Sequence, residues 1–157
     1  MGAPVTVTLA VAIDAILDAL VAYLEAETGD DGCLCDVVVV QRGDRDEPRP
    51  EEPAVYVTPQ RMRISEGITT SLVEWWELPV ELHAVVSDET PATGYAEATD
   101  LAARARSVLL THSSKNLGLA YVRGVHSGEF DVSGPWSRNG DYYRAMAELK
   151  ILFSVRG

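Results

Sequence analysis

Between Leu9 and Glu27 the apolar residues Leu9, Ile13, Ile16, Leu17, Leu20, Val21 and Leu24 recur at steps of three and four, while Asp14, Asp18 and Glu25 mark the opposite side. This spacing predicts an amphipathic helix over 9–27. Thr6 or Thr8 is placed to cap its start, and Gly29 stands where a left-handed residue closes a helix. A second stripe, Tyr95, Ala98, Ala102, Ala105 and Leu109, predicts a helix over 93–110, with Asp100 and Arg104 spaced four apart as an ion pair.

Elsewhere the period drops to two. Residues 35–41, "CDVVVVQ", are short and β-branched and lead into "GDRDEPRPEEP", a charged, proline-rich stretch without periodicity that reads as a loop. The runs "AVYVTPQRMRIS" and "TTSLVEWWELPVELHAVVS" flank "EG", which predicts a long antiparallel hairpin arm over about 54–87. Pro59 and Pro79 lack an N–H, so each requires an edge position or a bulge. "LGLAYVRGVHSGEFDV" and "DYYRAMAELKILFSVR" bracket "SGPWSRNG", a second hairpin, and Gly124 marks a bulge or a close approach within it. In the last strand Tyr143, Ala145, Ala147, Leu149, Ile151, Phe153 and Val155 point one way, and Arg144, Glu148, Lys150 and Arg156 the other.

The order helix, strands, helix, strands predicts an α+β fold: a mainly antiparallel sheet with two helices packed on one face and a long projecting β-hairpin. A length of 157 residues fits a single domain over 1–157.

Composition then narrows the function. Apolar residues make up 46% of the chain and charged residues 24%, the balance of a globular protein. The formal charge is -11, from 24 acidic against 13 basic side chains, which disfavours any binder that tracks a phosphate backbone. The excess is concentrated: ten acidic residues between Glu25 and Glu52 face only Arg42, Arg45 and Arg49. No membrane span or export signal is expected, since Asp14 and Asp18 interrupt the apolar run from Val5 to Leu24 and no Lys or Arg precedes it. Cys33 and Cys35 are too close for a relaxed mutual disulfide and point to a reducing cytoplasm.

Reactive chemistry finds no frame. Cys33 and Cys35 with His83, His112 and His126 lack zinc spacing, and the acidic loop lacks a calcium-loop pattern. There is no G-x-S-x-G elbow, H-E-x-x-H helix or phosphate-binding glycine loop. The expectation is no catalytic residue, no metal and no cofactor.

The strand "SLVEWWELPVELHAVV", residues 71–86, is more informative. Leu72, Trp76, Leu78, Val80, Leu82, Ala84 and Val86 form one apolar face, with Glu74 the exception nearest the hairpin tip. The other face mixes Val73, Trp75, Glu77, Pro79, Glu81, His83 and Val85. Aromatic bulk within a charged rim is what a protein–protein contact requires. The expected interface residues are Arg61, Arg63, Val73, Trp75 and Glu77 on the arm, Trp136 and Arg138 in the last hairpin loop, and Arg144.

The segments "AIDAILDALVAYLEAE", "VEWWELPVELHAVV", "ATDLAARARSVLL" and "DYYRAMAELKILFSV", in that order and over almost the whole chain, resemble the tail terminator proteins of long-tailed bacteriophages. The resemblance implies a structural virion protein, not an enzyme. Such a protein is assembled in the host cytoplasm as a homohexameric ring that ends growth of the tail tube and joins tail to head. Its implied partners are further copies of itself, the tail tube protein and the head–tail connector or stopper protein. DNA would pass through the lumen without specific binding, and an acidic lumen would repel its backbone. Head-side neck proteins of similar fold are the nearest alternative. A small monomeric enzyme or ligand-binding module is the alternative of a different class, and would place a site between helices and sheet. The loop "GDRDEPRPEEP" is longer and more acidic than the minimal plan of the resembled proteins.

Overall fold

A computed structural model describes residues 8–43, 53–60, 63–64, 73–87, 91–112, 116–133 and 142–156; the side chains of 63, 64, 91, 112, 132, 133 and 156 lie outside that description. The chain is α+β. Helix α1 (Leu9–Ala26) precedes strands β1 (Val39–Arg42), β2 (Ala54–Pro59), β3 (Arg63–Ile64) and β4 (Val73–Ser87). Helix α2 (Pro91–Ser107) then runs into one π-helical turn, Val108–His112, before β5 (Val122–Ser133) and β6 (Tyr142–Arg156).

The sheet is mixed, in the order β1-β2-β4-β6-β5, with the two-residue β3 paired to β4 beyond the end of β2. β1 runs parallel to β2, and the remaining pairs are antiparallel. The parallel pair is possible because the connection from Gly43 to Pro53 is long enough to cross back, and Gly43 opens it with φ of 80°. β4 is flanked by β6 over its whole length, from Val73 opposite Arg156 to Ser87 opposite Tyr142. The expected loop over 44–52 and the expected tip of the hairpin arm, 65–72, including Leu72, lie outside the described residues.

Both helices bury their apolar stripes against the same sheet face. Ile16, Leu17, Leu20 and Leu24 of α1 join Ala98, Ala102, Ala105 and Leu109 around Leu78, Val80, Leu82, Ala84 and Val86 of β4 and the alternate residues Tyr143 to Val155 of β6. The small side chains of α2 let it approach β6 closely. A Cβ on Gly94 would collide with the ring of Tyr143, and Tyr95 meets that ring edge-on at 4.9 Å.

Thr8 caps α1, its Oγ1 accepting from the N–H of Val11 at 3.3 Å. The other end departs from expectation, because Gly29 is not left-handed. The helix closes at Glu27, whose N–H donates back to Glu25 and Leu24, and the chain continues through turns to Asp36. Gly32 presses on the carbonyl of Glu27, where no Cβ would fit. These turns also delay β1, which starts at Val39 rather than at Cys35. Arg104 of α2 fixes them, donating to the Cys33 carbonyl at 2.8 Å and to both Asp36 oxygens at 2.7 and 3.0 Å, while holding Asp100 at 2.8 Å. Arg42 ties β1 to α1 through Asp18 at 3.0 Å and Asp14 at 3.1 Å.

Candidate assembly surface

The sheet face turned away from the helices is the surface in question. Along β4 it presents Val73, Trp75, Glu77, Pro79, Glu81, His83 and Val85, and strand alternation places Met146, Glu148, Lys150, Leu152 and Ser154 of β6 beside them. Its two ends differ. At the Val85 end the face is closed by a small second cluster, Ala54, Tyr56 and Val85, fully buried with Val39 and Tyr142 against it. At the Trp75 end Val73, Trp75 and Glu77 are all half-buried. Sequence alternation assigned Val85 to a mixed face and gave no sign of this cluster, which depends on β2 lying beside β4.

Trp75 is not a bare aromatic. The Arg123 guanidinium of β5 lies 5.6 Å from its ring centroid, across the intervening β6, in a cation–π arrangement. On the opposite face, at the edge of the helix-covered core, Trp76 donates from Nε1 to Glu74 at 3.2 Å. Glu74 thereby acquires a role that alternation left unexplained.

In the middle of the outer face Gln60, Glu77, Pro79, Glu81, Glu129, Glu148 and Lys150 line a groove of about 350 Å³. Four carboxylates share it with one lysine. Glu81 accepts from Gln60 Nε2 at 2.9 Å and lies 3.0 Å from Nε2 of His83, whose Nδ1 is buried without a partner. Glu148 lies over Gly128 and accepts weakly from the Glu129 N–H at 3.4 Å.

Pro79 sits in this groove for a definable reason. Gln60 donates its N–H to the Pro79 carbonyl at 2.8 Å, so the nitrogen of Pro79 also faces the β2 side. β2 ends at Pro59 opposite Val80, and β3 starts at Arg63 opposite Glu77. The missing donor therefore falls at the end of β2, where only one of the two bonds of the Gln60–Pro79 pair is made and the ladder stops.

The expected interface residues divide into three groups. Val73, Trp75 and Glu77 come together on one stretch of the outer face. Arg144 is on that face too, but it stands opposite Val85 at the far end, ten residues from the position of Trp75, or roughly 33 Å along the strand. Arg61, Trp136 and Arg138 lie outside the described residues, and of Arg63 only the backbone is described, paired with Glu77.

The thiols of Cys33 and Cys35 are free and exposed. Partial burial and then the neighbouring Glu27 carboxylate push the Cys33 thiol above its ordinary pKa, away from the reactive thiolate. Among the described residues no group of three or more His, Cys, Asp or Glu is placed to hold a metal ion, and no helix is long and apolar enough to cross a membrane. No family model matches this chain, and no curated protein matches it.

Proposed function

We propose that the chain is a structural assembly protein of the tail-terminator kind, forming a ring at the head-proximal end of a phage tail tube, stopping its growth and joining the tail to the head. The observation that carries this reading is the asymmetry of the sheet. One face is sealed by two helices, whereas the other holds Val73 and Trp75 half-buried beside a carboxylate groove that no helix covers among the described residues. A half-covered aromatic anchor next to fixed charge is suited to a partner surface, because the partner completes the desolvation that the subunit leaves unfinished.

The rest of the proposal follows the resemblance. The arm over about 54–87, with Arg61, Arg63, Val73, Trp75 and Glu77, makes inter-subunit contact, and the 133–140 loop with Trp136 and Arg138 reaches a neighbouring ring. Arg144 marks the opposite end of the same face. Partners are further copies of this chain, the tube protein and the connector or stopper protein, and the place of action is the virion. The chain's charge of -11 suits a lumen that lets DNA pass without holding it.

Tube protein polymerised with and without this chain tests the reading by electron microscopy. The account expects shorter tubes bearing an extra ring at one end. Unchanged tube lengths with no ring refute the terminator role, and a ring bound only to isolated connectors favours the head-side neck role.

A further inference from the structure

The two sides of the molecule treat their carboxylates differently. Around the helices Asp14 and Asp18 share Arg42, and Asp36 and Asp100 share Arg104. On the outer sheet face Glu77, Glu81, Glu129 and Glu148 line the groove of about 350 Å³ together with Lys150, and among the described residues none of the four is ion-paired with a lysine or arginine. Glu81 and Glu148 even stand directly opposite each other across the β4–β6 ladder, which puts their Cβ atoms roughly 5 Å apart. What Glu81 does have is the amide of Gln60 at 2.9 Å and the ring of His83 at 3.0 Å. His83, 9% exposed, is packed against this wall of the groove with its Nδ1 unpartnered. The subunit thus holds its outer carboxylates in place and leaves their charge unanswered.

A broad, flat cation answers it best. No three acidic or imidazole groups among the described residues gather as a metal ion requires. A guanidinium is planar, carries five donors and bridges carboxylates, and it sheds water more readily than an ammonium. Pro79 lies between Glu77 and Glu81 on the same face and offers an apolar floor for such a plane. The groove stands near the lower bound of about 300–1,000 Å³ usual for ligand clefts, which suits one or two side chains. Another copy of this chain is a poor source of them. Each copy carries -11, Arg42 and Arg104 are committed within the subunit, and Arg123 lies over Trp75. Copies meeting at this groove would set acid against acid.

We infer that the groove receives an arginine from a basic surface of a protein other than this chain, its guanidinium held between Glu81 and Glu148 over Pro79. The inference rests on the assembly reading above and gives the partner of the outer face its chemistry. Trp75 lies six residues before Glu81, or roughly 20 Å along β4, and stays with neighbouring copies. The opposed glutamates weaken the free subunit slightly and are neutralised on docking, so they favour a basic partner over any other.

Nuclear magnetic resonance titration with a blocked glycine–arginine peptide, and with its lysine and citrulline counterparts, tests the site. The arginine peptide is expected to shift the amide signals around Glu81 and Glu148, the lysine peptide to bind more weakly and the citrulline peptide not at all. The Glu81→Gln, Glu148→Gln double variant, which keeps the side-chain oxygens and relieves the repulsion, is expected to fold as wild type does and to bind the arginine peptide about tenfold more weakly. Asp30→Asn, Asp31→Asn changes the charge equally at exposed positions in the turns after α1 and is expected to leave binding within about twofold. The glutamine double variant is also expected to lose tail tubes or connectors, whichever the wild type binds. Equal weakening by the two double variants overturns the groove in favour of general charge attraction, and a lysine peptide that binds as tightly overturns the choice of arginine. Tube or connector binding indifferent to the glutamine pair overturns the inference and leaves the assembly reading intact. A chain that seats the arginine peptide in the groove yet binds neither tubes nor connectors overturns the assembly reading and keeps the groove.

Discussion

Glu81 of β4 and Glu148 of β6 stand directly opposite each other on the exposed face of the sheet, two carboxylates in one cross-strand pair. Like charges in that relation destabilise a ladder, by about 0.2–1 kcal/mol. Glu148→Gln keeps an acceptor for the Glu129 N–H and removes the repulsion. The expected outcome is a gain of about 0.5 kcal/mol in urea unfolding of the isolated subunit, larger at low salt than at high salt. Unchanged stability at both salt concentrations would show that Lys150 and the hydrogen bond from Gln60 already offset the repulsion.

Gly94→Ala sets helix propensity against packing. In an open helix the change would stabilise by up to about 1 kcal/mol. Here the new methyl group meets the Tyr143 ring, and overpacking costs about 1–3 kcal/mol. A net loss of about 1–2 kcal/mol is expected, read as a lower melting temperature.

Asp36 links the turns after α1 to α2. Its hydrogen bonds from Arg104 hold its carboxyl below the usual aspartate range, so the folded state keeps it ionised where the unfolded chain takes up a proton. A depressed folded pKa contributes stability above the unfolded value of about 3.9, and the contribution disappears as pH falls through the folded value. Wild type should therefore exceed Asp36→Asn in stability by a constant margin from pH 7 to about 5, narrowing below about 4. The Asp36 side chain is 49% exposed, which with solvent screening keeps the margin to about 1 kcal/mol or less. Urea titrations of both proteins between pH 3 and 7 check the sign.

Trp75→Ala separates folding from assembly. With the ring half-buried and Arg123 over one side, truncation should cost the subunit about 2 kcal/mol yet leave it folded at 25 °C. Self-association into a ring, and with it contact with tubes, should be lost. Tube binding that persists in a folded variant removes Trp75 from the interface.

Much of this architecture is legible in the chain, and the reason is periodicity. β6 alternates from Tyr143 to Phe153, and of the predicted helix stripes Ile16, Leu17, Leu20, Leu24, Ala98, Ala102, Ala105 and Leu109 are buried while Leu9, Ile13, Val21 and Tyr95 are partly buried, since one burial environment acts along each element. What is not legible depends on neighbours. The parallel placement of β1 beside β2 leaves no local trace. Arg104 pairs with Asp100 as its spacing predicts, but its grip on Asp36, 68 residues away, belongs to the tertiary fold. The irregularity between Ser127 and Phe130 shifts the register of β5 against β6, which simple alternation does not foresee. At the candidate surface, alternation brings out Val73, Trp75 and Glu77 as a group, whereas the position of Arg144 at the far end of the sheet follows only from the β4–β6 register.

The central claim is that this protein acts by assembling. Light scattering of the purified chain over a wide concentration range, alone and with tail tubes, tests it most directly. The account predicts a closed oligomer of defined mass, or a monomer that gathers into a ring on tube ends. A persistent monomer that binds no tube at any concentration would contradict it.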